Sequence, residues 1–177
     1  MLLNTIHLQN FRSFARAPFT FSPTTTIVLG PNASGKTNLL EAVYLLATGK
    51  SFRVSIEEEM IQTGKELGRV TGVVEREKEK MTLEVVLTRG EIAGERVGRK
   101  KLTINKVSKR LMDYQGNLRV VLFGPWDMGL ITDSPSTRRK FLDSVLVQVD
   151  REYRRAVLSY EKGLRARNKL LERIRDE

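Results

Sequence analysis

The sequence predicts an α/β fold, and three features of the chain support this prediction. Residues 27–29 are an apolar run, followed by a glycine-bounded loop at residues 30–37 and then by an amphipathic helix. Residues 1–10 and 70–88 instead alternate apolar and polar side chains, as half-buried strands do. After residue 134 the apolar spacing is helical. We therefore expect a lobe built on a strand, a loop and a helix, with an added antiparallel sheet, followed by the start of a helical arm.

The composition excludes several classes of protein. The chain has 177 residues, 40% of them hydrophobic, which is enough for an ordinary core. It has no cysteine and a single histidine, His7, so disulfides, thiolate metal sites and histidine clusters are excluded. We expect His7 on the surface of a strand. No apolar run is long enough to span a membrane and no signal-peptide pattern is present, so a soluble, cytoplasmic protein without membrane binding is predicted.

Residues 30–37, GPNASGKT, match the Walker A phosphate loop. A loop that leads into a helix presents backbone N–H groups and the positive end of the helix dipole to phosphate. We expect Lys36 to reach the β- and γ-phosphates of ATP, and the Thr37 hydroxyl to ligate the Mg²⁺ that bridges them. The predicted nucleotide-binding residues of the loop are Gly30, Pro31, Asn32, Ala33, Ser34, Gly35, Lys36 and Thr37.

The surroundings of this motif matter because a bare match also arises by chance. The run at residues 27–29 reads as a buried strand before the loop, and Gly49 is placed to end the helix after it. The apolar residues at helical spacing between them are Leu39, Ala42, Val43 and Leu46. A predicted N-terminal hairpin, with strands at residues 1–10 and 19–21, comes directly before. This order is an arrangement of ABC-type ATPases.

Further strands are predicted on both sides of a charged hairpin tip at residues 75–80, and at residues 101–107. There Asn105 and Lys106 can form a two-residue turn, since asparagine tolerates positive φ. Residues 118–123 read as another buried strand.

The composition shifts at Ser134–Pro135, which we expect to separate an ATP-binding lobe at 1–134 from a truncated helical arm at 135–177. Asp150 is a predicted N-cap for the last helix. The apolar seam of that helix comprises Tyr153, Val157, Tyr160, Leu164, Leu171 and Ile174. The helix has no capping glycine and resembles one that has been cut off, so we expect its seam to mediate self-association.

The net charge of +10 indicates a polyanionic partner, because clustered lysine and arginine release counterions from nucleic acid. Residues 89–110 are strongly basic. The candidate DNA-binding residues there are Arg99, Lys100, Lys101, Lys106, Lys109 and Arg110. A solvated hairpin surface explains the same charges equally well, and both interpretations stay open.

A GTPase would need two further motifs. Residues 113–116 fit the magnesium motif Asp-x-x-Gly, but residues 105–108 lack the acidic residue that would accept the N–H groups of guanine. The two segments also occur in the wrong order. The sequence therefore does not support a GTPase.

Four blocks of the sequence together resemble the RecF family of bacterial recombination mediators. They are NFRSF at 10–14, GPNASGKTNLLEAVYLLATGKSFR at 30–53, VVLFGPWDMGLITDSPSTRRKFLD at 120–143 and SYEKGLRARNKLLE at 159–172. The family commonly has glycine in the middle of the phosphate loop, where this chain has Ala33 and Ser34. We therefore expect a negative φ at Ala33.

The resemblance implies an SMC-like ABC ATPase of DNA replication, DNA repair and the SOS response to DNA damage. Such a protein binds ATP and DNA at gapped DNA or at junctions of single- and double-stranded DNA, dimerises on ATP and acts with RecO and RecR partners. The resemblance also implies nucleotide contacts by Arg12 and Ser13. For Arg12, a surface charge at the end of a strand is the alternative.

Two motifs of a complete ATPase of this family do not follow Thr37, namely the Walker B Asp-Glu pair and an LSGGQ-like signature. We therefore predict ATP binding without turnover, no catalytic residue in this chain, and the N-terminal part of a longer protein, either a natural truncation or an excised fragment. Two alternatives remain: the head of another SMC-like ATPase, which would need a longer coiled coil, and a small self-contained P-loop kinase, which would need a lid and an acidic motif.

Overall fold

The computed structural model describes residues 1–176. The strands are β1 Leu2–Phe11, β2 Phe14–Thr20, β3 Leu67–Arg76, β4 Glu79–Thr88, β5 Glu91–Ile92, β6 Glu95–Arg96, β7 Lys100–Ile104 and β8 Val107–Lys109. The helices are α1 Lys36–Thr48, α2 Leu111–Tyr114, α3 Gly129–Thr132, α4 Pro135–Val149 and α5 Arg151–Asp176, with 3₁₀ helices at Glu57–Met60 and Pro125–Met128.

One antiparallel sheet contains six of the strands in the order β2-β1-β3-β4-β7-β8. The expected antiparallel sheet is thus confirmed, and so is the turn between β7 and β8. Asn105 and Lys106 have φ values of 49° and 68°, as a two-residue hairpin turn requires. The Asn105 side chain also accepts a hydrogen bond from the backbone N–H of Thr82 at 2.8 Å, which ties the turn to β4.

The core lies between the inner face of this sheet and α1. Alternate strand residues point inward, among them Ile6, Leu8, Val70, Leu83 and Val85, and α1 contributes Leu39, Ala42, Leu45 and Leu46. Gly72 permits this packing, since a Cβ there would lie 2.3 Å from the Leu46 side chain. Gly49 ends α1 as predicted, with φ 68° and its N–H bonded to the Leu45 carbonyl at 2.7 Å.

Two predicted buried strands are wrong. Residues 27–29 form no strand and pair with none among the described residues, and Ile27 and Leu29 are 76% and 86% exposed. Residues 118–123 likewise form no strand, and although Leu118 is buried, Val121 is 65% and Phe123 71% exposed. A continuous apolar strand is typical of a parallel sheet that is covered on both faces, and the described residues form no such sheet.

The chain divides into two compact units between Val120 and Val121. This division comes before the composition shift at Ser134–Pro135, because α3 contacts α4 and the 3₁₀ helix Pro125–Met128 contacts α3. In the second unit, the Asp150 carboxylate caps α5 as predicted by accepting the N–H groups of Glu152 and Tyr153, at 2.8 and 2.9 Å.

The seam of α5 is largely exposed. Tyr160 is 69%, Leu164 38%, Leu171 49% and Ile174 68% exposed. Tyr153 and Val157, nearer the start of the helix, are half-buried, and the Tyr153 hydroxyl donates to Asp143 of α4. Among the described helices, none combines the length and apolar character of a membrane span.

Candidate nucleotide-binding site

The phosphate loop leads directly into α1. The loop ends at Gly35, which has φ 94°, and a Cβ at that position would lie 2.7 Å from the Phe14 ring. No side chain caps the first turn of α1, and that turn contains no acidic residue. The N–H groups and positive dipole end of α1 are therefore presented to an anion without a competing carboxylate in that turn.

Lys36 lies over this loop. Its ammonium group donates to the carbonyls of Gly30 and Pro31 at 2.7 and 2.6 Å. A cleft of about 260 Å³ is lined by Asn32, Ala33, Ser34, Gly35, Lys36, Thr37, Asn38 and Arg53. The fold thus gathers the predicted loop residues from Asn32 to Thr37 around one space, while Gly30 and Pro31 contribute the carbonyls that hold Lys36.

The expected negative φ at Ala33 is wrong, because Ala33 has φ 64°. The tight loop requires a left-handed residue at this point, and an alanine side chain there costs about 1–2 kcal/mol in steric strain. Ala33 is exposed, so its Cβ adds no clash with the protein core. Ala33 thus replaces the glycine that is common in the family but keeps the left-handed backbone conformation that glycine favours.

Arg12 lies in the turn between β1 and β2, and its guanidinium is directed at α1. It donates to both carboxylate oxygens of Glu41 at 2.9 and 2.8 Å and to the Glu59 carbonyl at 2.7 Å. The Arg12 side chain is 17% exposed, so it is not a free surface charge. Ser13 lies nearer the phosphate loop, because its hydroxyl accepts a hydrogen bond from Asn38 at 3.0 Å.

Arg53 is a cation of the cleft that lies outside the Walker A motif. Its guanidinium donates to the Asn38 side chain at 3.0 Å and lies 3.5 Å from Glu41. Arg53 lies beyond the end of α1, in an irregular segment, so helical spacing from Lys36 could not have predicted that it lines the same cleft. Its position depends on the buried carboxylate of Glu41, which also accepts a hydrogen bond from Ser51 at 2.6 Å.

The residues of the cleft suit a nucleoside triphosphate. Backbone N–H groups, the Lys36 ammonium and the Arg53 guanidinium are donors for phosphate oxygens, and the Thr37 hydroxyl is a hard oxygen ligand suited to Mg²⁺. The described residues contain no cluster of three or more His, Cys, Asp or Glu side chains that could bind a metal.

The candidate DNA-binding residues do not form one surface. Arg99 pairs with Glu58 at 2.7 Å, and Lys100 pairs with Glu57. Arg110 lies 3.4 Å from Asp113. The remaining residues are spread over both faces of the sheet. Lys101 points away from α1, whereas Lys109 lies opposite the inward-facing Leu102 in the register of β7 and β8. Lys106 is at the tip of the hairpin between these strands. Tertiary structure thus separates charges that are adjacent in sequence.

Residues 2–126 of the chain match the sequence model of the protein family described as RecF/RecN/SMC N terminal domain. The DNA replication and repair protein RecF of Oenococcus oeni is 39% identical over 175 residues, which cover 99% of this chain and 45% of that protein. Two solved structures of the recombination mediator protein RecF in the RecFOR pathway, RecF-ATPrS and RecF-ATP, align with TM-scores of 0.86 and 0.84 at 32% and 33% identity. Each alignment covers 99% of this chain and 46% of the solved chain.

The architecture is therefore that of an ABC-type lobe with an antiparallel sheet, and the chain spans less than half of the length of these relatives. The match over most of the chain and the likeness to two RecF structures agree with the four sequence blocks. The chain belongs to the RecF/RecN/SMC N-terminal domain family, within which it is similar to the N-terminal half of RecF.

Proposed function

We propose that this chain is the ATP- and DNA-binding module of a RecF-like protein of recombinational repair and replication, and that it binds ATP with Mg²⁺ without turning it over. The observation that carries the proposal is the cleft in which the phosphate loop, Lys36, Thr37 and Arg53 converge. The solved RecF-ATP and RecF-ATPrS structures, at 33% and 32% identity, support ATP as the ligand.

Each side chain of the cleft has a distinct role in this proposal. The phosphates of bound ATP are negatively charged, and the N–H groups at the start of α1 donate to their oxygens. The Lys36 ammonium leaves the carbonyls of Gly30 and Pro31 and neutralises the β- and γ-phosphates. The Thr37 hydroxyl ligates Mg²⁺. Ser13 and Arg12 are proposed to support the nucleotide from the β1–β2 turn, Ser13 through Asn38 and Arg12 through Glu41.

The wider role follows from the family. We propose a cytoplasmic protein that acts at gapped DNA or at junctions of single- and double-stranded DNA, within an ATP-dependent homodimer of the complete protein and with RecO- and RecR-type partners. The net charge of +10 suits a DNA partner. The name DNA replication and repair protein RecF, carried by a relative 39% identical to this chain, supports the process.

Titration calorimetry of the chain with ATP and MgCl₂ tests the nucleotide site. Lys36→Ala should weaken ATP binding by about 2–4 kcal/mol, because a charged contact to phosphate is lost. Lys50→Ala is the matched control, since Lys50 is an exposed lysine just beyond the far end of α1. Chelation of Mg²⁺ by EDTA should also lower the affinity for ATP.

A phosphate-release assay on the same preparation tests the absence of turnover. ATP hydrolysis should not exceed the uncatalysed background, and Lys36→Ala should leave that background unchanged. Hydrolysis that Lys36→Ala abolishes would contradict the proposal that this chain binds ATP without turnover. Equal ATP affinities of the parent chain and Lys36→Ala would contradict the nucleotide site itself.

A further inference from the structure

The outer face of the six-stranded sheet, opposite α1, carries a line of residues that crosses five strands. The strand register pairs Arg16 with Gln9, Gln9 with Arg69, Arg69 with Val86, and Val86 with Lys101. Paired residues of neighbouring strands point to the same face of a sheet. We call these five residues the cross-strand row.

The adjoining residues of each strand show which face this is. Leu8, Val70 and Leu102 are buried in the core. They are the immediate chain neighbours of Gln9 on β1, Arg69 on β3 and Lys101 on β7. Because successive side chains of a strand point to opposite faces, the cross-strand row points away from the core.

The cations of the cross-strand row are directed at solvent. Arg16 and Lys101 are exposed, and among the residues that the structure describes neither has a carboxylate partner. The Arg69 side chain is 43% exposed and lies 3.4 Å from Glu84. Val86, between Arg69 and Lys101 in the register, is only 9% exposed.

The spacing of the cations is set by the sheet. Arg16, Arg69 and Lys101 are each two strands from the next, so at about 4.8 Å per strand they are about 10 Å apart along a line of about 20 Å. A shallow depression of about 540 Å³ lies at one end of this line, lined by His7, Leu8, Gln9, Arg16, Ala17, Pro18, Arg69 and Thr71. The surface is broad and open rather than shaped around a small molecule.

A surface of this chemistry suits the sugar-phosphate backbone of a duplex. Single strands bind through aromatic side chains on which their bases stack, and among the described residues the outer face of this sheet presents one small ring, the imidazole of His7, and no Phe, Tyr or Trp. Phe14 and Phe19 of β2 pair with Phe11 and Ile6, which are core residues, and so point to the opposite face. Duplex backbones instead require cations at intervals on a surface.

We infer that the outer face of the sheet binds the phosphate backbone of duplex DNA through Arg16, Arg69 and Lys101. This inference rests on the proposed function, in which DNA is a partner, and names the surface that contacts it. Lys101 alone belongs to the basic segment at residues 89–110. The cleft of the phosphate loop shares no lining residue with the depression, so the two sites can be altered separately.

Two triple variants with the same change in net charge test the inference. The row variant is Arg16→Gln, Arg69→Gln, Lys101→Gln, and the matched control is Lys106→Gln, Lys109→Gln, Arg110→Gln. Fluorescence anisotropy of a short labelled DNA duplex is measured over a salt series for both variants and the parent chain. The row variant should lower the slope of log affinity against log salt by about 2–3 units, and the control by less than about 1.

Further readouts separate this inference from the proposed function and from misfolding. The double variant Arg16→Gln, Lys101→Gln keeps the pair of Arg69 with Glu84 and should show about two thirds of the slope change. ATP affinity should be the same in all variants. Duplex binding by the parent with equal slopes for the two triple variants would overturn the inference while leaving the proposed function intact.

Two other outcomes would also overturn it. A parent chain that binds ATP but no duplex at low salt would remove the DNA partner from the proposed function as well. A single-stranded probe that binds more tightly than the duplex and loses its affinity in the row variant would show that this face takes single strands instead.

Discussion

Arg12 donates two hydrogen bonds, of 2.9 and 2.8 Å, to the carboxylate of Glu41, which is fully buried within α1. Removing Arg12 leaves Arg53, at 3.5 Å, as the remaining cation beside this carboxylate, so we expect a cost at the lower end of the range for breaking a buried ion pair, about 3 kcal/mol. Arg12→Ala should therefore lower the free energy of unfolding by about that amount, measured by urea denaturation.

Arg16→Ala is the matched control for this substitution. Arg16 belongs to the same hairpin but is exposed, so its removal should change stability by about 0.5 kcal/mol or less. An Arg12→Ala variant that is as stable as the parent yet has lost ATP affinity would show that Arg12 acts on the nucleotide rather than on the fold.

Arg53 should contribute to ATP affinity, because it lines the cleft beside the phosphate loop and is held there by Asn38. Arg53→Gln should weaken ATP binding by about 1.5–3 kcal/mol, the range for a hydrogen bond to a charged group, and should weaken adenosine binding less. Calorimetry with both ligands measures the difference. Arg76→Gln, at the tip of the β3–β4 hairpin, should leave both affinities unchanged.

Ala33 offers a test of backbone strain in the loop. Its φ of 64° is in the left-handed region, which glycine adopts without a steric cost. Ala33→Gly should relieve about 1–2 kcal/mol of strain and lose about 0.4–1 kcal/mol to the greater freedom of the unfolded chain, for a net stabilisation of up to about 1.6 kcal/mol.

Thermal or urea unfolding measures this change, with Ala166→Gly as a control of opposite sign. Ala166 is an exposed residue within α5, where glycine should destabilise the helix by about 1 kcal/mol. A destabilised Ala33→Gly variant would mean that the loop does not hold this residue in the left-handed conformation.

Tyr114 should make the protein sensitive to alkaline pH. Burial, and secondarily the charge of Glu84, raises the pKa of its phenol, and the hydroxyl donates to the Leu46 carbonyl at 2.7 Å. A raised folded-state pKa means that the native state keeps the proton that the unfolded state releases. The contribution is therefore complete below the unfolded pKa of about 10 and is lost as pH rises above it.

Urea denaturation as a function of pH checks this expectation. The stability of the parent should fall above about pH 10, and Tyr114→Phe should reduce that fall while costing about 1 kcal/mol at neutral pH through the lost hydrogen bond. Tyr160→Phe is the control, since that ring is 69% exposed. A pH profile that Tyr114→Phe leaves unaltered would contradict the assignment.

The exposed seam of α5 predicts self-association through residues after Asp150. Tyr160, Leu171 and Ile174 each leave apolar surface in water, at a cost of roughly 25 cal/mol per Å², and a second copy of the helix would cover it. Light scattering should find a dimer or larger species that Leu171→Ser, Ile174→Ser dissociates. Lys162→Ser and Arg167→Ser, at exposed polar positions, should not change the mass. A monomeric parent would show that the seam is not a packing surface.

The sequence by itself determined the elements whose information is local. Alternation of apolar and polar residues predicted β1, β3 and β4, Asn105 predicted the hairpin turn, and Asp150 predicted the cap of α5. These depend on neighbours within a few positions, through side-chain direction, left-handed backbone tolerance and capping geometry. The phosphate loop is predictable for the same reason, since its N–H groups come from one continuous segment.

Only the tertiary structure decided the features that depend on distant contacts. Apolar character alone predicted a buried strand at residues 27–29, but a buried strand needs flanking strands, and these residues have none in the part of the chain that the structure describes. The proposed cross-strand row unites Arg16, Arg69 and Lys101, which are far apart in sequence, through the register of five strands. Buried Glu41 brings Arg12 and Arg53 together in the same way, because a buried carboxylate must be paired wherever its partners lie along the chain.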